Sequence, residues 1–323
     1  MDATGCVTYA WPNLQDKIMQ RLIITLLLAL GLATEGSADR ARYIELARRG
    51  WGYELRTALP MRAFPAPVHI NGRDLAGSSL CVVGERPHPS SLKTLNAFRA
   101  LIAHTFGKPL TMRHAGRSAE QCGSGRTVIL RLYSGFPPNR ALTADLAWMN
   151  DVHVLGLPKG SYYTATSPAM AQTFFGKRGQ GTHIMVKQPA LPRPGTLETA
   201  FYKSILIEEL FQSFTFGMDI MLFDRAAAFE SKLQETPVNL HRLSWESRDF
   251  MRALVNSNPD GLCFFDVFML HAVAQAPVDQ TVDPEFISFI DRAYDSLLMQ
   301  TQDTVADPRF ADLLAPGCAF LPQ

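Results

Sequence analysis

One stretch restricts the fold of this chain more than any other. Residues 197–216, LETAFYKSILIEELFQSFTF, place apolar side chains on nearly every side of a helix. Such a helix is normally buried in the centre of a domain. Glu208 and Gln212 nevertheless lie one turn apart inside an apolar stripe, and Glu209 lies about 100° away at its edge. Because burial of an unpaired carboxylate is costly, each glutamate is expected to have a cation, a proton or a pocket.

Two interpretations of these glutamates follow from the sequence. In the structural one, Glu208 pairs with Gln212 and with an arginine of the following helices, Arg248 or Arg252, while Glu209 lies at the solvent edge. In the functional one, the helix forms the wall of a cleft and one glutamate transfers protons.

Residues 208–216, EELFQSFTF, resemble the E-E-L-x-Q-x-L-G-L segment of a bacterial family of exported proteins, defined as a domain of unknown function. That segment is in turn similar to the H-E-x-x-H-x-x-G helix of zincin metallopeptidases. The resemblance covers about residues 60–275, although only the helix motif is specific. Thr215 stands where the family has glycine, and Gly217-Met218 replaces its Pro-Asn before Asp219. The resemblance implies a zincin-like fold.

Position by position, the resemblance places Glu209 where a zincin has its general base, and Glu208 and Gln212 where it has two zinc-binding histidines. A third histidine would fall at Met218. Zinc sites need imidazole or thiolate ligands and an open position for water, so this set predicts no metal and no cofactor. No pair of histidines four residues apart occurs anywhere in the chain.

The N-terminus has the pattern of a secretory signal peptide. Lys17 and Arg21 precede the apolar run at residues 22–33, and small residues precede a cleavage position before Asp39. The run is shorter than the roughly 20 residues of a transmembrane helix. We therefore assign residues 1–38 to a signal segment, with an over-long start before the internal methionine, and expect no membrane span after cleavage.

Cysteine usage agrees with export to the periplasm or the cell exterior. Four cysteines follow the signal segment, at Cys81, Cys122, Cys263 and Cys318, and an even number in an exported protein favours two disulfides. Of the three possible pairings we favour Cys81–Cys122 with Cys263–Cys318, because each loop then closes within a contiguous part of the chain. The alternative is four reduced thiols in the core.

The remaining pattern predicts one α+β domain over residues 39–323, with a sheet-bearing half at 60–195 and a helical half at 196–323. Its centre would be a zincin-like mixed sheet with a buried core helix. Glycine-rich residues 176–181 read as a surface loop, and residues 156–182 as loop throughout. Predicted strands lie at 68–72, 80–83, 127–133, 152–155 and 183–186, and predicted helices at 90–106, 137–149, 197–216, 245–255, 262–274 and 284–299.

The predicted function is binding without catalysis. A formal net charge of +1 gives no electrostatic reason to expect nucleic acid as a partner. We expect an exported protein that binds a peptide, a glycan or an envelope protein beside Glu208, Glu209 and Gln212. The alternative is a metal-independent hydrolase in which Glu208 raises the pKa of Glu209, the general base. Asp266 is a further candidate buried carboxylate, and His183 could face the glutamate helix.

Overall fold

The computed structural model describes residues 39–53, 77–125, 127–189, 193, 195–279, 283–315 and 317–318. By contacts the chain divides into two compact units, residues 1–43 and 44–323. Of the first unit, residues 39–43 are described and are helical. The predicted signal segment and the predicted strand at 68–72 lie outside the described residues. The second unit contains all the elements named below.

The second unit has an α+β fold, as predicted, built on a mixed sheet. The strand order is β2-β1-β3-β5-β4, with β4 alone antiparallel to its neighbour. Val82 lies opposite Leu130, and Leu130 opposite Ile184, in the buried centre of the sheet. The strands are β1 Ser79–Gly84, β2 Met112–His114, β3 Thr127–Tyr133, β4 Ala169–Gly176 and β5 Gly179–Lys187, with a separate parallel pair, β6 Ile220–Met221 and β7 Gln234–Glu235.

Helices surround this sheet and dominate the second half of the chain. The helices are α1 at residues 44–51, α2 Pro89–Phe106, α3 Asn139–His153, α4 Leu197–Thr215, α5 Arg248–Val255, α6 Phe264–Gln275 and α7 Pro284–Ala306. Short 3-10 helices occur at Ala119–Cys122 and Pro308–Leu313. None of the helices in the described part of the chain has the length and apolar content that crossing a bilayer requires.

Helix α4 is the buried core helix that its sequence predicts. It begins at the N-cap Thr196, whose hydroxyl accepts a hydrogen bond from the Thr199 N–H, and Glu198 in the first turn favours the helix dipole. It ends at Phe216, which adopts the left-handed conformation with φ 59°. The helix packs against β4 and β5 on one side and against α2 and α5 on others, so its apolar faces all find partners.

Two local predictions are wrong, and both concern the region before α4. The predicted strand at 152–155 is the end of α3, because the helix continues to His153 and Val154 then takes a left-handed turn. The predicted loop at 156–182 contains β4 and the start of β5. Gly176 pairs with Gly179 across a two-residue turn, so residues 176–181 form a β-hairpin rather than a surface loop.

The two disulfides pair as predicted. Cys81 joins Cys122 across 41 residues of sequence, and Cys263 joins Cys318 across 55. All four residues are buried. The first bond fastens the segment after β2 to strand β1, and the second fastens the end of the described chain to the start of α6.

We expect each disulfide to stabilise the fold by about 4 kcal/mol, the loop-closure value for loops of this length. Replacing Cys263 and Cys318 together by alanine should lower the free energy of unfolding by this amount in urea denaturation without reductant. The same experiment on Cys81 and Cys122 supplies the comparison. A loss below about 1 kcal/mol for either pair would show that the reduced chain is already constrained.

Candidate functional site

The predicted site residues lie beside the antiparallel edge strand β4. A cavity of about 330 Å³ opens between this strand and the C-terminal end of α4. On the strand side it is lined by Ala171, Thr173 and Phe175, and on the helix side by residues that include Gln212 and Asp219. The motif helix thus faces a strand that the sequence pattern did not reveal.

The outer edge of β4 faces this cavity. No further strand pairs with β4 beyond β5 among the described residues. At the start of the ladder the Lys187 N–H donates to the Pro168 carbonyl, and hydrogen bonding alternates along an antiparallel pair. Even-numbered residues of β4 therefore bond to β5, whereas Ala171 and Thr173 turn their N–H and C=O groups outward.

Glu209 lies between α4 and this edge. Its carboxylate accepts a hydrogen bond from the outward-facing Ala171 N–H. Burial, followed by the nearby negative charges of Glu208 and Asp219, raises the pKa of Glu209 well above its ordinary value, against the opposing effect of Lys232.

Glu208 is held by partners other than those expected. Its Oε2 atom lies 3.2 Å from Lys232 Nζ and accepts a hydrogen bond of 2.9 Å from Asn258 Nδ2. The expected pairing with Arg248 or Arg252 is wrong, since Arg252 pairs instead with Asp249. Lysine reaches Glu208 because the chain between α4 and α5 folds back beneath the helix.

Gln212 contributes to the cavity by holding a third carboxylate. Its amide Nε2 donates to Asp219 Oδ1. Asp219 immediately precedes β6, and Glu235 ends β7, so the β6–β7 pairing brings both residues to the same place. Carboxylate oxygens of Glu208, Asp219 and Glu235 all lie within 4.8 Å of one another. We call these three residues the acidic cluster.

The acidic cluster carries more negative charge than its surroundings neutralise. Burial of its carboxylate and the charge of Glu208 raise the pKa of Asp219 to about 6. Burial and the charges of Glu208 and Asp219 raise the pKa of Glu235 to about 7. Lys232 opposes the rise at both positions. Asp219 and Glu235 therefore take up protons near pH 6 and pH 7, and carboxylates with pKa values raised in this way are common at functional sites.

The residues at this place do not fit the zinc ion of a zincin. The two positions that would supply imidazole hold Glu208 and Gln212, and the third, Met218, is exposed at the rim. Zinc binds histidine nitrogen or cysteine sulfur in most protein sites, and neither is present in this set. A lysine ammonium also lies beside Glu208. The acidic cluster offers only oxygen ligands, which suit hard cations.

A larger cavity of about 540 Å³ lies at the N-terminal end of α4. Its charged lining is mixed, with Lys187 and Arg248 beside Glu198 and Glu246. Lys187 Nζ already lies 2.7 Å from Glu246 Oε1. Gln212 and Asp219 line the smaller cavity and not this one, so we place the candidate site at the smaller cavity beside β4.

The other residues singled out from sequence have structural roles. His183 does not face α4; its Nε2 atom lies 2.9 Å from Asp145 Oδ2 in a buried network. Asp266 is fully buried and accepts hydrogen bonds from Ser231, Lys232 and Cys263. Both are thus partnered inside the fold and lie outside the cavity.

Sequence reasoning missed the residues that give the site its charge. Lys232, Glu235 and Asn258 come from three segments after α4, and no spacing rule connects them to Glu208. Asp219 was visible only through the resemblance, as the residue that follows the altered Pro-Asn pair.

No protein-family model, curated protein or solved structure matches this chain. The geometry of the site is therefore the basis for the function proposed below.

Proposed function

We propose that this protein binds an extended peptide segment along the outer edge of β4, without catalysis, in an exported compartment. The observation that carries the proposal is the outward-facing backbone of β4, where the Ala171 C=O and the Thr173 N–H and C=O open onto the cavity beside α4 while the Ala171 N–H bonds to Glu209. Extended peptides bind such edges by adding a strand, through main-chain hydrogen bonds. The two disulfides support export, since such bonds persist in oxidising compartments.

The charge of the site favours a peptide with a basic side chain. Asp219 belongs both to the cavity lining and to the acidic cluster. A lysine or arginine side chain pointing from the bound strand toward Asp219 would offset negative charge that Lys232 leaves uncompensated. Backbone pairing would supply affinity, and this contact would supply selectivity.

Hydrolysis with Glu209 as the base is the second candidate, favoured by the raised pKa of a carboxyl group beside the cavity. Glu209 is not among the residues that line the cavity, and its carboxyl group already accepts the Ala171 N–H, so it is poorly placed to remove a proton from water. Its hydrogen bond from Ala171 also fits a role in holding β4 against α4. The Glu209→Gln variant separates the two candidates. If the wild type turns over a substrate and the folded variant does not, hydrolysis is supported. If the wild type shows no turnover and the variant still binds the peptide, binding is supported.

The peptide proposal predicts that Thr173→Pro weakens binding about fivefold or more. Proline removes one outward N–H, and one lost hydrogen bond corresponds to about 1 kcal/mol or more. Edge strands tolerate proline where the N–H faces away from the ladder. The probe is an acetylated pentapeptide of alternating threonine and valine with a central arginine, and the measurement is calorimetric titration.

Thr173→Val is the matched control, since it also removes the hydroxyl group but keeps the N–H, and it should bind as the wild type does. Two further peptides carry N-methyl groups on the odd-numbered or on the even-numbered residues, which blocks one or the other register of hydrogen bonding. Only one of these two peptides should lose binding. Equal losses in both registers, or no difference between the proline and valine variants, would contradict strand addition. Replacing arginine by norleucine tests the charge preference separately.

A further inference from the structure

The cation beside the acidic cluster is Lys232, which precedes β7 and its residue Glu235. Lys232 is fully buried, and its ammonium lies 3.2 Å from Glu208, one of the three carboxylates of the cluster. We propose that Lys232 supplies an internal cation in the place where a metal ion would bind, and that the acidic cluster can hold a hard divalent cation only when this ammonium is removed. The inference concerns charge within the site and is independent of peptide binding.

The ammonium is completely coordinated by the protein. Lys232 Nζ donates to Ser204 Oγ at 2.8 Å and to the Pro259 carbonyl at 2.6 Å, and its third neighbour is Glu208 Oε2. An ammonium group has three N–H donors, so these three oxygens satisfy it. The ammonium can therefore act as a fixed positive charge, because two of its three acceptors, Ser204 and Glu208, belong to helix α4.

A buried carboxylate fixes the backbone that carries this lysine. Asp266 Oδ2 accepts the Lys232 N–H at 2.6 Å and the Cys263 N–H at 2.7 Å. Asp266 Oδ1 accepts the Ser231 hydroxyl at 2.6 Å. The side chain is therefore directed toward Glu208 by bonds that do not involve the acidic cluster itself.

The acidic cluster has the ligand chemistry of a divalent-cation site. Glu208, Asp219 and Glu235 bring carboxylate oxygens within 4.8 Å of one another, and Ca²⁺ and Mn²⁺ both bind such oxygens. Glu208 belongs both to this cluster and to the ion pair with Lys232. A divalent cation at the cluster would lie close to the ammonium, and their repulsion disfavours binding while Lys232 is present.

The test is a titration of the purified protein with Mn²⁺, followed by electron paramagnetic resonance, and with Ca²⁺, followed by calorimetry. The wild type should bind neither ion at the cluster. Lys232→Met keeps a long side chain and removes the charge. This variant should bind one ion per chain at least tenfold more tightly than the wild type does. Adding Glu235→Gln to this variant should remove the gained site, and Lys93→Met, which removes a surface charge, should leave the protein like the wild type.

The proposal is overturned if the wild type, with Lys232 in place, binds an ion and Asp219→Asn or Glu235→Gln abolishes that binding. A folded Lys232→Met protein that binds no ion would also overturn it. If that variant unfolds in metal-free buffer, recovery of the fold in millimolar Ca²⁺ or Mn²⁺ supports the proposal. Failure to recover contradicts it, because the ion should replace the ammonium.

Discussion

Between pH 5 and pH 8 the free energy of unfolding should fall by at least about 3 kcal/mol, so that this protein is more stable in mild acid than at neutral pH. Glu209, Asp219, Glu235 and Asp266 all have pKa values raised by burial. In the unfolded chain these groups release their protons near pH 4, whereas the folded protein retains them to higher pH.

The sign follows from proton linkage. A group with a raised pKa in the folded state stabilises the fold fully below its unfolded pKa, and this contribution is lost as the pH rises through the folded pKa. For Glu235 the rise from 4.5 to about 7 corresponds to roughly 3 kcal/mol at about 1.4 kcal/mol per pH unit. Below about pH 4 the free energy of unfolding should instead fall as the pH is lowered. Burial raises the pKa of Asp145, but the hydrogen bonds from His183 and Arg131 outweigh it and lower this pKa, so protonation of Asp145 destabilises the fold.

Urea denaturation at pH 5, 6.5 and 8 measures this dependence. Glu235→Gln should flatten the curve and leave the variant more stable than the wild type at pH 8, since the amide cannot ionise. Glu120→Gln is the control, because this residue is exposed and lies outside the cluster. A wild-type protein equally stable at pH 5 and pH 8 would mean that these carboxylates are hydrated in the folded state.

Replacing Asp145 by alanine should destabilise the fold by about 3–5 kcal/mol. Asp145 Oδ2 and Oδ1 accept from Arg131 Nε and Nη2 at 2.5 and 2.7 Å, and Asp145 also bonds to His183. Arg131 is 3% exposed. Removal of the carboxylate would leave a buried guanidinium without its counter-ion in the centre of the sheet.

Asp312→Ala provides the matched comparison, because it removes an ion pair of similar length from the surface. Lys93 Nζ lies 2.7 Å from Asp312 Oδ2, with side chains 69% and 46% exposed. We expect a loss below about 1 kcal/mol for this variant. Thermal unfolding of both proteins gives the comparison, and similar losses would indicate that Arg131 finds another partner or water.

Elements with strong periodicity were predictable from sequence. Helix α4 follows from its apolar positions with Thr196 as the cap, and strand β3 follows from its run of β-branched residues. The cysteine pairing followed from the choice of contiguous loops. Strand β4, in contrast, reads AMAQTFFG, with no regular alternation and with glycines on either side of its turn, and only its pairing with β5 makes it a strand.

The site was predictable only in part, for the same reason. Glu208, Glu209 and Gln212 lie within one helix and were visible as polar groups in an apolar stripe. Lys232 and Glu235 reach them only because the segment between α4 and α5 folds back and pairs β6 with β7. A long-range contact of this kind leaves no periodic pattern in a single sequence.

The position of Cys263 connects the Cys263–Cys318 disulfide to the placement of the internal cation, Lys232. This residue forms a disulfide with Cys318, and its N–H donates to the same Asp266 oxygen that holds the Lys232 backbone. In a newly made chain whose thiols are still reduced, the start of α6 lacks its covalent anchor and this shared oxygen is less firmly placed. Reduction of this bond would therefore act on Lys232 through the carboxylate of Asp266, which bonds to both backbone N–H groups.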